Sequence, residues 1–321
     1  MLFKINHIDK IEIDLNAKKR YNENAIGAAQ GVSSYMIDSR RQMPEHSGSL
    51  CFACVKVLKR SRMEKVSMRV VTFSNQKGGV AKTTSTYCFA AVLKSLGHRV
   101  LVIDMDPQMN VTLISKVPED DLPRIYQVMV GEAEFPEAIR ELEQFDIVPG
   151  SILMSSADKT FPEKNRNRLL KLALEKISDR YDYVVIDTPP SMGLLTVNAF
   201  AATNDLIIPA KAEILALSGI KQIYDLIREI KKKTNPDICI RGILFTQFTS
   251  RTNISSTMME MATSMSEIIH APIFETKIRS TVKVQEAQAY RESLFDMFPS
   301  STAAEDYKAF VKEYLEVISN G

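Results

Sequence analysis

The residues whose spacing could do chemistry here are lysines, a threonine and three aspartates, and that chemistry would act on a bound phosphate. Lys82 and Thr83 follow Gly78-Gly79-Val80-Ala81, just after a β-rich run (Val70, Val71, Thr72, Phe73) has passed through a polar turn (Ser74, Asn75, Gln76). Such a strand–loop–helix passage brings backbone N–H groups and the positive end of a helix dipole to one small region, where an anionic phosphate is stabilised. Lys82 is placed to reach the β- and γ-phosphates, and the Thr83 hydroxyl to sit on Mg2+. A second lysine, Lys77, stands five residues before Lys82. Alone it would read as a solvated loop lysine; the intact loop that follows favours a role at the phosphates.

Asp187 closes the apolar run Tyr183-Val184-Val185-Ile186. A charge at a buried strand end wants a cation or dense hydrogen bonding, and a magnesium shell supplies both through its bound water. The alternative is an aspartate that only caps the next helix, and the phosphate loop upstream weighs against it. Asp104 and Asp106 lie two apart beyond Val100–Ile103. Residues two apart share a side if strand geometry persists, so both carboxylates can point at a terminal phosphate.

The elements that must position these groups follow from the alternation of helix and strand patterns after Met68. That alternation predicts an α/β fold, a doubly wound and mostly parallel sheet with helices on both faces. Strands are expected over 70–73, 100–103, 183–186, 206–208, 239–245 and 273–274, and helices over 83–96, 122–130, 136–144, 164–179, 191–202, 217–233, 253–269 and 302–318. Every candidate residue then falls just beyond a strand C-terminus, where open α/β sheets bind ligands. The catalytic unit spans 68–321, which leaves 1–67 as a small, mainly helical accessory region.

The pattern K-G-G-x-x-K-[ST]-[ST] resembles the deviant Walker A loop of the ParA/MinD ATPases, with Gln76 and Ala81 at the two usual glycine positions. The resemblance extends over 68–318 and includes VLVIDMDPQMNVT (100–112), YVVIDTPPSMGLLTVNAF (183–200), GILFTQFTSRTNIS (242–255) and ETKIRSTVKVQEA (275–287). It implies a P-loop ATPase that uses ATP and Mg2+. Residues Lys77, Gly78, Gly79, Val80, Ala81, Lys82, Thr83 and Thr84 would cradle the nucleotide, with Thr246 and Arg251 near the adenine. Thr83, Asp104 and Asp187 would serve the metal, Asp106 would orient the attacking water, and Lys77 would reach the nucleotide of a second subunit. The family mechanism implied is an ATP-dependent homodimer that binds DNA without sequence preference. A ParB-type centromere-binding protein then stimulates hydrolysis, which is slow in isolation. The segment 275–287 precedes the nucleoid-DNA surface of the family. Arg279 replaces the proline of the usual I-P-R and Ser280 the arginine, so Arg279, Lys283 or another basic residue would contact DNA.

Composition sets the outer bounds. With 45% apolar and 25% charged residues the chain is ordinarily globular, and its net charge is only +2. That charge is uneven: residues 1–67 carry 12 Lys/Arg against 7 Asp/Glu, and the remainder 29 against 32. The N-terminal part is therefore the basic part, which permits a nucleic-acid partner. Within it, NAIGAAQGVSSYMIDSRRQ (24–42) resembles the turn of a helix-turn-helix, with Gly31 turning the chain, Ser33 capping the second helix, and Arg40 and Arg41 offered to DNA. The alternative is an ordinary amphipathic hairpin. Cys51-Phe-Ala-Cys54 lacks the second pair that a zinc site needs, and with Cys88 and Cys239 reads as cytosolic thiols among apolar neighbours. No apolar stretch approaches the ~18 residues that span a bilayer, and the N-terminus, with Asp9, Glu12 and Asp14 early on, reads as no signal peptide, so a cytoplasmic protein is expected; the family resemblance implies association with the nucleoid.

Two other functions compete. A MinD-like membrane ATPase needs a C-terminal amphipathic helix with a basic face, whereas Glu305, Asp306, Glu313 and Glu316 outweigh Lys308 and Lys312 in this one. Such a face is expected to pack against the domain. A sequence-specific repressor with nucleotide as a ligand is the other, and autorepression can coexist with partition.

Overall fold

The computed structural model describes residues 68–211, 216–249 and 263–320. The helix-turn-helix reading with Arg40 and Arg41, the Cys51–Cys54 pair, Arg251 and most of the expected helix 253–269 lie outside the described residues.

Seven strands form one sheet in the order β3-β4-β2-β5-β1-β6-β7. They are β1 (Arg69–Phe73), β2 (Val100–Asp104), β3 (Arg140–Glu141), β4 (Asp146–Val148), β5 (Tyr183–Asp187), β6 (Asp205–Ala210) and β7 (Cys239–Phe245). All neighbours run parallel except β3 and β4. The runs RVVTF, VLVID and YVVID are rich in apolar residues and, Arg69 apart, buried along their whole length, the mark of parallel strands covered on both faces. Successive side chains point to opposite faces. Val70, Leu101, Ile103, Val184 and Ile186 thus join one core, while Val71, Phe73, Val102 and Val185 join the other.

The helices that matter for the site are α1 (Lys82–Ser95), α2 (Asn110–Ile114), α3 (Ile125–Val130), α4 (Leu169–Glu175), α5 (Leu194–Ala202), α6 (Ala216–Lys233), α7 (Val282–Tyr290) and α8 (Thr302–Ser319). Helix α8 buries Tyr307, Phe310, Val311 and Tyr314, with Phe310 and Tyr314 against the ring of Phe89 in α1. Its apolar stripe is thereby engaged within the domain, as its acidic outer face leads one to expect. Among the described residues no helix is long and apolar enough to cross a membrane. Beyond β7 the segment 272–280 runs alongside: the Ile243 N–H donates to the Pro272 carbonyl at 2.9 Å, the Ile243 carbonyl accepts from the Phe274 N–H at 3.0 Å, and the Ile278 N–H donates to the Phe245 carbonyl at 2.8 Å. This contact replaces the strand expected at 273–274 with isolated bridges, Ile243 to Ile273 and Phe248 to Arg279.

Two further differences have local causes. Residues 136–144 do not form a helix. Pro136 opens a single 3-10 turn (Phe135–Ala138), Ile139 is extended, and Arg140–Glu141 pairs antiparallel with β4. The expected helix 164–179 is limited to Leu169–Glu175; Asn198 fixes its start, accepting from the Leu170 N–H at 3.4 Å and donating to the Arg166 carbonyl in the preceding turn at 2.8 Å.

Candidate functional site

Register does most of the positioning. Phe73, the last residue of β1, pairs with Asp187, and Asp104 pairs with Asp187 from the other side. Three adjacent strand ends are therefore level, and the loop after β1 leaves the sheet beside both carboxylates. That loop is built for close approach. Gly79 has φ +70°, and Ala81, the N-cap of α1, is also left-handed at φ 60°. No side chain caps α1, so no side-chain acceptor competes for its first-turn N–H groups. Gly78 has open space where a Cβ would stand.

The loop is held from outside by its neighbours. Asn75 donates to the Pro209 carbonyl at 2.7 Å and accepts from the Lys77 N–H at 3.1 Å. Thr246, fully buried, donates to the Val80 carbonyl at 3.1 Å, and Gln247 to the Gly79 carbonyl at 3.1 Å. Gln288 of α7 donates to the Thr84 hydroxyl at 2.8 Å.

Inside the loop, the Lys82 ammonium donates to the Lys77 carbonyl at 3.3 Å. Burial pushes its pKa below the ordinary lysine value, against the pull of Asp187 and Asp106. The Thr83 hydroxyl donates to Asp187 at 2.8 Å. Burial, with Asp104 beside it, drives Asp187 well above the usual carboxylate range, although Thr83 and Lys82 oppose the shift. Asp104, also fully buried, is raised to about 6 by burial even though Thr112 and the Asp106 N–H stabilise its charge. Its Oδ2 accepts from the Thr112 backbone N–H and hydroxyl at 2.9 and 2.8 Å, and its Oδ1 from the Asp106 N–H at 3.2 Å. Asp106 accepts from the Gln108 N–H at 2.9 Å and is 7% exposed.

A cavity of about 510 Å³ opens over the loop, lined among others by Gly78, Lys82, Thr83, Asp106, Thr246 and Gln285. The structure thus brings Gly78, Gly79, Ala81, Lys82, Thr83, Thr84, Asp106 and Thr246 to one cavity, with Asp104 and Asp187 buried at the adjoining strand ends. Val80 is buried beneath the loop, and Lys77 is half-buried at its start. Arg279 lines the same cavity and pairs with Asp306 at 2.7 Å. Lys283 pairs with Glu286 at 2.8 Å and lies 4.5 Å from the centre of the Phe298 ring. Both basic residues are therefore already engaged within the molecule. Sequence reasoning missed Thr112, Gln247 and Gln288. The only signal for any of them was the run MNVT after Asp106.

An AAA domain profile matches residues 68–240. The sporulation initiation inhibitor protein Soj of Bacillus subtilis is 34% identical over 79% of this chain and 99% of its own length. The chromosome partitioning protein ParA of Myxococcus xanthus is 33% identical over 77% of this chain and 88% of its own. Among solved structures, the cobyrinic acid a,c-diamide synthase of Mycobacterium smegmatis with bound ADP and magnesium is 31% identical. It superposes with a TM-score of 0.69 over 79% of this chain and 96% of its own. The cell division ATPase MinD of Pyrococcus furiosus, 20% identical with a TM-score of 0.65 over 78% and 99%, shares the fold. With the phosphate loop, the strand-end aspartates and these relatives in agreement, the chain belongs to the ParA/Soj family of partition ATPases.

Proposed function

We propose that this protein hydrolyses ATP with Mg2+ and uses the cycle to segregate DNA as an ATP-dependent homodimer. The observation that carries the reading is the level register of Phe73, Asp104 and Asp187, which sets a buried carboxylate pair beside a phosphate loop whose Thr83 already contacts Asp187 at 2.8 Å. The residues fit the nucleotide and its metal. Two fully buried carboxylates at adjoining strand ends carry charge only at a cost that a bound cation would offset. An uncapped helix N-terminus and the Lys82 ammonium need an anion. Magnesium, when bound, would supply positive charge that offsets the charge of the phosphates. Thr83 and Asp187 would hold it, with Asp104 behind them. Lys82 and the N–H groups of residues 78–84 would bind phosphate oxygens, and Asp106 would orient water from the cavity wall.

The finer assignments rest on the motifs. Lys77 serves the second subunit's nucleotide, and Arg251 lies near the base with Thr246. Arg279 and Lys283 contact DNA by exchanging their internal acidic partners for phosphates. Arg40 and Arg41 of the accessory region 1–67 read an operator, while 68–321 forms the ATPase. A ParB-type protein accelerates hydrolysis, and the protein works in the cytoplasm on the nucleoid. Lys82→Ala tests the core of this reading: it should abolish binding of a fluorescent ATP analogue while leaving thermal stability in place. Unchanged analogue affinity would remove Lys82 from the phosphate site and the ATPase reading with it.

A further inference from the structure

We infer that Thr112 is a positioning residue for hydrolysis, whose buried hydroxyl ties the Asp104–Asp106 turn to the backbone beyond β4 and so fixes where Asp106 stands. Thr112 lies in α2, eight residues after Asp104, and is 6% exposed. Its hydroxyl donates to Asp104 Oδ2 at 2.8 Å and accepts from the Gly150 N–H at 2.8 Å, while its own N–H donates to the same Oδ2 at 2.9 Å. Asp104 Oδ1 in turn accepts from the Asp106 N–H at 3.2 Å. One chain of hydrogen bonds therefore runs from Gly150 through Thr112 and Asp104 to the backbone of Asp106. It joins three stretches that are separate in sequence.

The chemistry at position 112 is specific. A hydroxyl can donate and accept at once, as this bridge requires. Removing it takes the acceptor from the buried Gly150 N–H and one of two donors from Asp104 Oδ2, losses that buried polar groups tolerate poorly. The far side is equally tight. A Cβ at Gly150 would lie 3.0 Å from Asp104 Cγ, 3.2 Å from Asp104 Oδ2 and 3.1 Å from Met109 Cγ. Asp104 is thus gripped between Thr112 and Gly150. The turn itself contains one left-handed residue, Met109 at φ 55°, and closes with the Met109 N–H donating to the Asp106 carbonyl at 2.9 Å. The start of the turn is tied to β5 by the Met105 N–H, which donates to the Asp187 carbonyl at 3.0 Å, and the Thr112 bridge adds the tie to the backbone beyond β4.

This inference rests on Asp106 as the residue that orients water. Three variants of the full chain test it: Thr112→Val, Thr112→Ser and Gly150→Ala. For each, one measures kcat and KM for ATP, affinity for a non-hydrolysable ATP analogue with magnesium, and backbone amide exchange over 104–112 without nucleotide. Thr112→Val should lower kcat about tenfold, the equivalent of one lost hydrogen bond in the transition-state arrangement. Analogue affinity should stay within about twofold, and the Asp106 and Thr112 amides should exchange faster. Thr112→Ser, which keeps the hydroxyl, should restore both. Gly150→Ala, which keeps the hydroxyl but presses on Asp104, should lower kcat in the same way.

Thr112→Val with the parent's kcat would overturn the inference, as would analogue affinity falling in step with kcat or a serine variant no better than the valine one. If Thr112→Val fails to fold, Gly150→Ala decides, and normal turnover there counts against the bridge. Normal turnover by Asp106→Ala would sink the underlying reading instead. An inactive Asp106→Ala beside a normal Thr112→Val would sink only the role given to Thr112.

Discussion

Asp106 lines the cavity, yet its hydrogen bonds are to the turn that carries it. Binding and chemistry should therefore separate at this position. Asp106→Ala is expected to keep ATP affinity and dimerisation while phosphate release falls by about 10²-fold or more; hydrolysis at the parent's rate would remove the assignment. Asp205, at the opposite end of the sheet, makes a purely structural counterpart. It is fully buried, pairs with Arg69, and accepts from Arg241 at 2.6 Å and Tyr314 at 2.7 Å. Burial alone would push its carboxyl up, but the bonds from Arg69, Tyr314 and Arg241 outweigh that and hold it below its ordinary value of 3.8. A depressed folded pKa stabilises the fold above the unfolded pKa, and the gain is lost as pH falls through the folded value. Asp205→Asn should cost about 3–5 kcal/mol at pH 7. In urea titrations that difference should shrink once the pH drops below about 4.

Among the elements, β7 shows how closely the sheet is covered. A Cβ at Gly242 would lie 2.6 Å from Phe274 Cε2 and 3.0 Å from the Pro272 carbonyl oxygen. Gly242→Ala should therefore destabilise by about 1–3 kcal/mol through overpacking, read as a lower urea midpoint with an unchanged slope. The chain announces some of its elements more clearly than others. The phosphate loop was legible because strand, turn and helix are contiguous, so the spacing of Lys77, Lys82 and Thr83 is itself the geometry. Asp104 and Asp187 were legible for a similar reason, each ending an unbroken apolar run, and Asp106 by standing two residues beyond Asp104. The Thr112–Gly150 bridge was not, because it joins residues 38 apart and sequence spacing says nothing of which loops meet across a sheet. Residues 136–144 misled because Ile139 and Leu142 suit a helix face as well as a hairpin. Helix α7 went unforeseen because Val282-Lys283-Val284 alternates like a strand, while its Thr281 cap shows only once the fold is known.

At the scale of the whole molecule, the ATP-bearing end of the sheet is the end that a second copy must meet if Lys77 serves a neighbouring nucleotide. Lys77→Ala should then bind ATP analogue as a monomer, whereas the parent should elute as a dimer with ATP and as a monomer with ADP or without nucleotide in size-exclusion chromatography. A parent that stays monomeric in ATP would defeat the dimer mechanism without touching nucleotide binding. DNA affinity in the dimer should weaken steeply with salt, since phosphate neutralisation releases counterions.

The cover laid over β7 by residues 272–280, and the two-residue length of β3 on the opposite flank, bear on how such copies can associate. Exposed strand margins invite uncontrolled lateral growth, and short or covered ones discourage it. Under the proposed cycle, in which copies gather on DNA and disperse with each round of hydrolysis, discouraging sheet extension at both margins is an advantage. Its contacts with its own kind are then left to the nucleotide, which can dissolve them.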